Sequence, residues 1–192
     1  MKIAVFGHSY VRDIQCLENS DHIYVDGAPF NLKYFSFPGY CFRNFLSDPK
    51  LLVNLVAFSP DIVVVILGGN GVNIDSDLGV LKSDCENFYV LLKSKLPQAY
   101  VIATQIEHRH LYSVNRHGTP TADLYKKLAN NFNKWLIRQP FKDKILMVNG
   151  ENKLGNSKFF RSDGIHLNFE GRFLYFELLS NCLFDPIKSL SK

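Results

Sequence analysis

Short runs of consecutive apolar residues recur along the chain, separated by stretches in which apolar residues step by three and four. KIAVF at 2 to 6, DIVVVIL at 61 to 67, AYVIATQ at 99 to 105 and KILMVN at 144 to 149 are rich in β-branched side chains. A strand with one wet face alternates apolar and polar positions, so these near-continuous runs predict strands covered on both faces, as in a parallel sheet. YFSF at 34 to 37 predicts a further short strand.

Helical periodicity fills the gaps. Leu81, Cys85, Phe88, Leu92 and Leu96 form one apolar stripe, closed by Pro97. Leu124, Leu128, Phe132, Trp135 and Leu136 form a second, with Thr121 as its N-cap and Pro140 as its stop. A third runs through Phe169, Phe173, Phe176, Leu179 and Leu183. Strand and helix therefore alternate, which predicts a doubly wound α/β sheet. No repeat, low-complexity tract or Gly/Ser linker interrupts the pattern, so one domain over residues 1–192 is expected. The longest irregular stretches lie at 68 to 77, 107 to 120 and 150 to 164. Ligands bind at the carboxyl ends of strands in open α/β sheets, so these three are expected to converge there.

Composition narrows the picture. A chain of 192 residues with 46% hydrophobic and 14% aromatic residues can bury a sizeable core. The longest apolar run, IVVVIL at 62 to 67, is far too short to span a bilayer, and Gly7, His8, Arg12 and Asp13 break any signal-type segment. A cytoplasmic location without stable membrane insertion is the expectation. Cys16, Cys41, Cys85 and Cys182 lack C-x-x-C spacing and read as reduced thiols, the last two in apolar helical patterns. A formal charge of +4 spread along the chain argues against a nucleic-acid footprint.

Chemistry enters at two ends of the chain. In IAVFGHSYVRD, Ser9 follows the first strand and starts an amphipathic segment, so its hydroxyl is either a helix cap or a nucleophile near the positive end of a helix. In RSDGIHLNFEG, Asp163 and His166 sit three residues apart. A serine hydroxyl needs a base, and an imidazole base works best when a carboxylate fixes its tautomer. D-x-x-H alone is a weak pattern that also suits the start of a helix. Asn70 in GGNG and Gly39 in FPGY each follow a strand and offer a side-chain amide and a backbone N–H. With the amide of Ser9 they make three donors for a tetrahedral oxyanion, although each also suits a turn.

FGHSYV, Gly39 in PGY, GGN at 68 to 70 and DGIHLN at 163 to 168 together resemble the four blocks of the SGNH hydrolases, also called the GDSL esterase and lipase superfamily. The resemblance spans residues 2 to about 183. It implies a flavodoxin-like three-layer α/β/α sandwich around a five-stranded parallel sheet. It implies Ser9 as nucleophile, His166 as general base and acid, and Asp163 as its orienting partner. The oxyanion hole would be the N–H groups of Ser9 and Gly39 with the Asn70 side chain. No metal or organic cofactor is implied. Two positions depart from the family pattern: His8 replaces the Asp of G-D-S, and Gly71 replaces the Asp of G-x-N-D. Both usually support hydrogen bonding around the site. His8 is therefore either a packed ring or a second titrating group beside the nucleophile. Over fewer residues the chain also looks like esterase domains of retroelement open reading frames and acetylhydrolase-like members of the superfamily.

The implied activity is hydrolysis of a small acyl ester, acetyl or short-chain, through an acyl-Ser9 intermediate. A lipid and an acetylated carbohydrate stay equally open as substrates. The alternative is a low-activity or inactive binding and scaffolding module, which the retroelement resemblance would place within a nucleic-acid-associated protein. The glycines at 68, 69 and 71 do not complete a phosphate-binding motif. His108, His110 and His117 lack a completing carboxylate or cysteine, so no metal site is expected. Arg109, Arg116 and Arg161 fall in loops near the expected cleft, where they would favour an anionic substrate or stay solvated. Tyr112 and Arg116 in HRHLYSVNRH make only a thin single-stranded nucleic-acid strip.

Overall fold

Each continuous apolar run forms a strand of one sheet in the computed structural model, which describes residues 1–17, 24–25, 28–72, 77–110, 121–149 and 154–190. In chain order the elements are β1 (Lys2–Gly7), α1 (Ser9–Gln15), β2 (Tyr24–Val25), β3 (Ala28–Pro29), β4 (Asn31–Ser36), α2 (Phe42–Ser47) and α3 (Val53–Phe58). They continue with β5 (Ile62–Ile66), α4 (Leu78–Lys95), β6 (Tyr100–Thr104), α5 (Ala122–Ile137), β7 (Lys144–Leu146) and α6 (Phe169–Leu190). β2 and β3 form a separate antiparallel pair. The main sheet is parallel throughout and ordered β4-β1-β5-β6-β7.

The strands are apolar on both faces because both faces are covered. Ile3, Val5, Ile62, Val64, Ile66 and Ile102 pack with Tyr10, Val11 and Ile14 of α1 and Tyr175, Leu179 and Leu183 of α6. Ala4, Phe6, Val63, Val65, Val101 and Ala103 point the other way, onto α2, α3, α4 and α5. The result is a three-layer α/β/α sandwich. From β1 the chain moves outward to β4, then returns across β1 to β5. The strand order thus reverses at β1 and β5, and a crevice opens outside their carboxyl ends. Among the described residues no helix is long and apolar enough to cross a membrane.

Three differences from the sequence expectations have physical reasons. α2 and α3 are six residues each, too short to show two turns of periodicity around Asp48 and Pro49. In α5 the buried stripe is Tyr125, Ala129, Phe132, Asn133 and Leu136, so Leu124, Leu128 and Trp135 stand at its margins. In α6 the expected stripe is rotated: Phe169 and Phe173 are 73% and 60% exposed, while Gly171 and Tyr175 face inward. The cause is a close approach. A Cβ on Gly171 would lie 2.1 Å from the Phe159 carbonyl oxygen, so this face alone can seat against the preceding loop.

Candidate active site

The crevice at the β1 and β5 carboxyl ends is where the expected residues gather. β1 ends in Gly7 at φ +156°, where a Cβ would fall 2.0 Å from Ile66 O of β5, so the chain turns sharply against its neighbour. Ser9 follows as the first residue of α1 and is 8% exposed. It is not the cap. That task falls to His8, whose Nδ1 accepts from the Tyr10 N–H at 3.4 Å.

Accepting at Nδ1 puts the His8 ring proton on Nε2, which is buried and has no partner among the described residues. Burial, then the positive charge of Arg109, then that of His166 push its pKa down to about 3. His8 is therefore a neutral helix cap at ordinary pH rather than a second titrating group.

Asp163 and His166 share one tight turn, closed by an Arg161 N–H to His166 O bond of 2.7 Å and a bridge between Phe160 and Leu167. Asp163 Oδ1 accepts from the N–H groups of Ile165 and His166 at 2.8 and 2.9 Å. Its Oδ2 lies 2.7 Å from His166 Nδ1. Burial pulls the Asp163 carboxyl up, but the His166 ring and these backbone N–H groups outweigh it and hold it below its usual range. An ionised carboxylate at Nδ1 selects the Nδ1–H tautomer and leaves the Nε2 lone pair free to take a proton. The turn is tied to the helix carrying Ser9, because Tyr10 Oη donates to Ile165 O at 2.5 Å. Ser9 Oγ donates to no described residue, His166 included, so the serine and its expected base are not directly bonded.

The three expected donors sit on adjoining loops. Phe37 N–H donates to Gly7 O at 2.8 Å, which holds the β4 exit beside Ser9. Asn70 Nδ2 donates to Tyr40 O at 3.1 Å, which holds the β5 exit beside Gly39. Gly39 is exposed with open space around it, and its N–H and that of Ser9 have no partner among the described residues. The convergence of the irregular stretches holds for their described parts. Arg109 Nη2 donates to Asn70 Oδ1 at 2.8 Å, and His110 N–H donates to Gly164 O at 2.7 Å.

Of the other candidates, His108 bonds to Asn130 Oδ1 at 2.8 Å and the His110 ring packs on Phe160, so the two histidines serve different neighbours. Arg161 approaches Asp13 of α1 at 3.8 Å and donates from Nε to Leu167 O. Tyr112, Arg116 and His117 lie outside the described residues.

Sequence reasoning did not single out Glu107, which is buried beneath the crevice with its Oε1 accepting from Tyr175 Oη at 2.9 Å. Its only sequence signal was a carboxylate two residues beyond a buried strand. Burial raises its pKa to about 7, against the opposing pull of its own backbone N–H, Tyr175 and Arg109. A carboxyl raised from 4.5 to about 7 binds more protons folded than unfolded between those values, so its stabilising contribution is complete below 4.5 and lost as pH rises through 7. Between pH 5 and pH 9 the parent chain is expected to lose on the order of 2 to 3 kcal/mol of stability relative to Glu107→Gln. Urea unfolding of both chains at the two pH values checks this; parallel pH dependences would contradict it.

No family model matches the sequence, and no curated protein matches it. Solved structures do. The chain is similar to a carbohydrate esterase family 3 structure from Talaromyces cellulolyticus, at 15% identity over 98% of this chain and 99% of that one, with a TM-score of 0.69. It is similar to a lipase/acylhydrolase from Enterococcus faecalis, at 17% identity over 94% and 93%, with a TM-score of 0.66. An extracellular lipase from Streptomyces rimosus aligns at 14% identity over 95% and 99%, with a TM-score of 0.66. The chain has the fold of the SGNH and GDSL hydrolases along nearly its whole length.

Proposed function

We propose that this chain is a serine hydrolase of carboxylic esters, with Ser9 as nucleophile, His166 as base and acid, and Asp163 as the group that orients His166. The carrying observation is the Asp163 carboxylate, which holds the His166 ring through Nδ1 and the turn backbone through two N–H bonds. That turn is fastened by Tyr10 to the helix that begins with Ser9. Ester-cleaving neighbours with the same fold support the reaction class.

In the proposed reaction, rotation of the Ser9 hydroxyl and the His166 ring on substrate binding brings Oγ to Nε2. The hydroxyl proton passes to Nε2 as Oγ attacks the ester carbonyl carbon. The carbonyl π electrons move onto oxygen, where the N–H groups of Ser9 and Gly39 and the Asn70 amide receive the charge. Collapse expels the alcohol with the proton from His166 and leaves an acyl-Ser9 ester. Water, deprotonated by the same nitrogen, then releases the acid and restores the serine. No bond change requires a metal or redox partner. The substrate class is a small acyl ester, on a lipid or an acetylated carbohydrate.

The missing Ser9 to His166 bond favours one second reading, a fold retained for binding with little turnover. Hydrolysis of p-nitrophenyl esters of increasing acyl length, with fluorophosphonate labelling mapped by peptide mass, separates the two. Turnover with label on Ser9 supports the hydrolase and sizes the acyl pocket. A folded chain that neither turns over nor labels puts the binding module ahead.

A further inference from the structure

A carboxamide in an oxyanion hole works only in one of its two orientations, and Asn70 has its orientation set from both ends. Its Oδ1 accepts from Arg109 Nη2 at 2.8 Å, and one Nδ2 hydrogen goes to Tyr40 O at 3.1 Å. Turning the amide over would face two donors at Arg109 and two acceptors at Tyr40. The second Nδ2 hydrogen meets no acceptor among the described residues.

Arg109 is itself built into place. Its guanidinium lies over the Tyr125 ring, 5.1 Å from the centroid, and Tyr125 Oη bonds to the carbonyl of Gly69 next to Asn70. A Cβ at Gly69 would stand 3.0 Å from Nη2, so the glycine leaves room for the guanidinium. Among the described residues no carboxylate pairs with it within 4.0 Å; the acids that do pair with arginines serve Arg12, Arg43 and Arg161. Its charge reaches His8, beside Ser9, and helps to keep that ring neutral. A cation bound at an amide oxygen also polarises the amide, which strengthens its N–H groups as donors.

We propose that Arg109 is the positioning residue of the oxyanion hole: it locks the Asn70 amide with one N–H directed at the substrate oxygen and, through its charge on Oδ1, polarises that amide. It does the orienting work at a site where Gly71 offers no side-chain acceptor or donor. The inference rests on the acyl-transfer reading of Ser9. Because the amide it holds meets an oxygen that becomes negative only during reaction, the loss of Arg109 falls on kcat rather than on substrate binding.

The test compares the parent chain with Arg109→Met, Arg109→Lys, Asn70→Ala and Arg109→Met/Asn70→Ala on p-nitrophenyl acetate, each checked for an unchanged melting transition. Arg109→Met is expected to lower kcat about 10- to 100-fold, with KM changed by less than about twofold. Arg109→Lys keeps the charge but not the planar fork and should fall between. The double variant should be no slower than Asn70→Ala alone, since Arg109 acts through that amide. Multiplied losses in the double variant, or a raised KM at constant kcat, overturn the proposal; the latter marks Arg109 as a substrate-anion binder. A parent chain without turnover defeats the acyl-transfer reading instead. In that case a crystal structure of Arg109→Met still decides the positioning role: a turned or displaced Asn70 amide upholds it, and an unmoved one rejects it.

Discussion

Ser9→Ala is expected to lower kcat/KM for an acetyl ester by about 10⁴-fold or more and to abolish fluorophosphonate labelling. The loss should be chemical rather than structural. Ser9 Oγ makes no hydrogen bond to a described residue, and the first turn of α1 is capped by His8, so the variant should melt within a few degrees of the parent. His166→Ala should lose a similar factor, and Ser9→Ala/His166→Ala no more than either alone, because nucleophile and base act as one unit. Asp163→Asn should also be severe. An amide at this position cannot hold the Nδ1–H tautomer as the carboxylate does, and it also weakens the two backbone bonds that shape the turn. Steady-state kinetics with melting curves on all four variants checks the set. Parent-like hydrolysis by Ser9→Ala would remove the serine from the mechanism.

Gly171→Ala is expected to be strongly destabilising for a single methyl, at about 3 kcal/mol, the upper range for overpacking a close contact. The added Cβ would meet Phe159 O at 2.1 Å, and a carbonyl cannot rotate aside as a side chain can. The helix must lift from the loop that bridges Phe160 to Leu167 around Asp163 and His166. Activity should therefore fall with stability, and a urea midpoint unchanged from the parent would contradict the contact.

The strands, the parallel sheet and the stripe of α4 were legible because each is written in local periodicity: Leu81, Cys85, Phe88 and Leu92 are all buried as spaced. The α6 stripe was misread at Phe169 and Phe173 for a tertiary reason, since the contact that rotates the helix joins Gly171 to a carbonyl across a turn. At the site, Ser9, Asp163 and His166 could be proposed from sequence because acyl-transfer chemistry needs particular residue types just beyond particular elements. The cap at His8 and the buried Glu107 could not, because burial and partners are settled by packing. Arg109 was visible only as a charge in a loop. Its hydrogen bond to Asn70 belongs to two stretches far apart in sequence, and no spacing encodes it.

The tie between Tyr10 and Ile165 has a consequence for how the molecule comes into being. Ser9 opens the first helix, whereas Asp163 and His166 lie on the last turn before the final one. While the chain is being synthesised, β1, β4, β5 and β6 can pair in order of emergence, with Ser9 already at the sheet edge and neither Asp163 nor His166 yet in place. On the proposed acyl-transfer reading, a growing polypeptide would be a dormant hydrolase, and the closing of its final turn onto α1 would be the step that arms it.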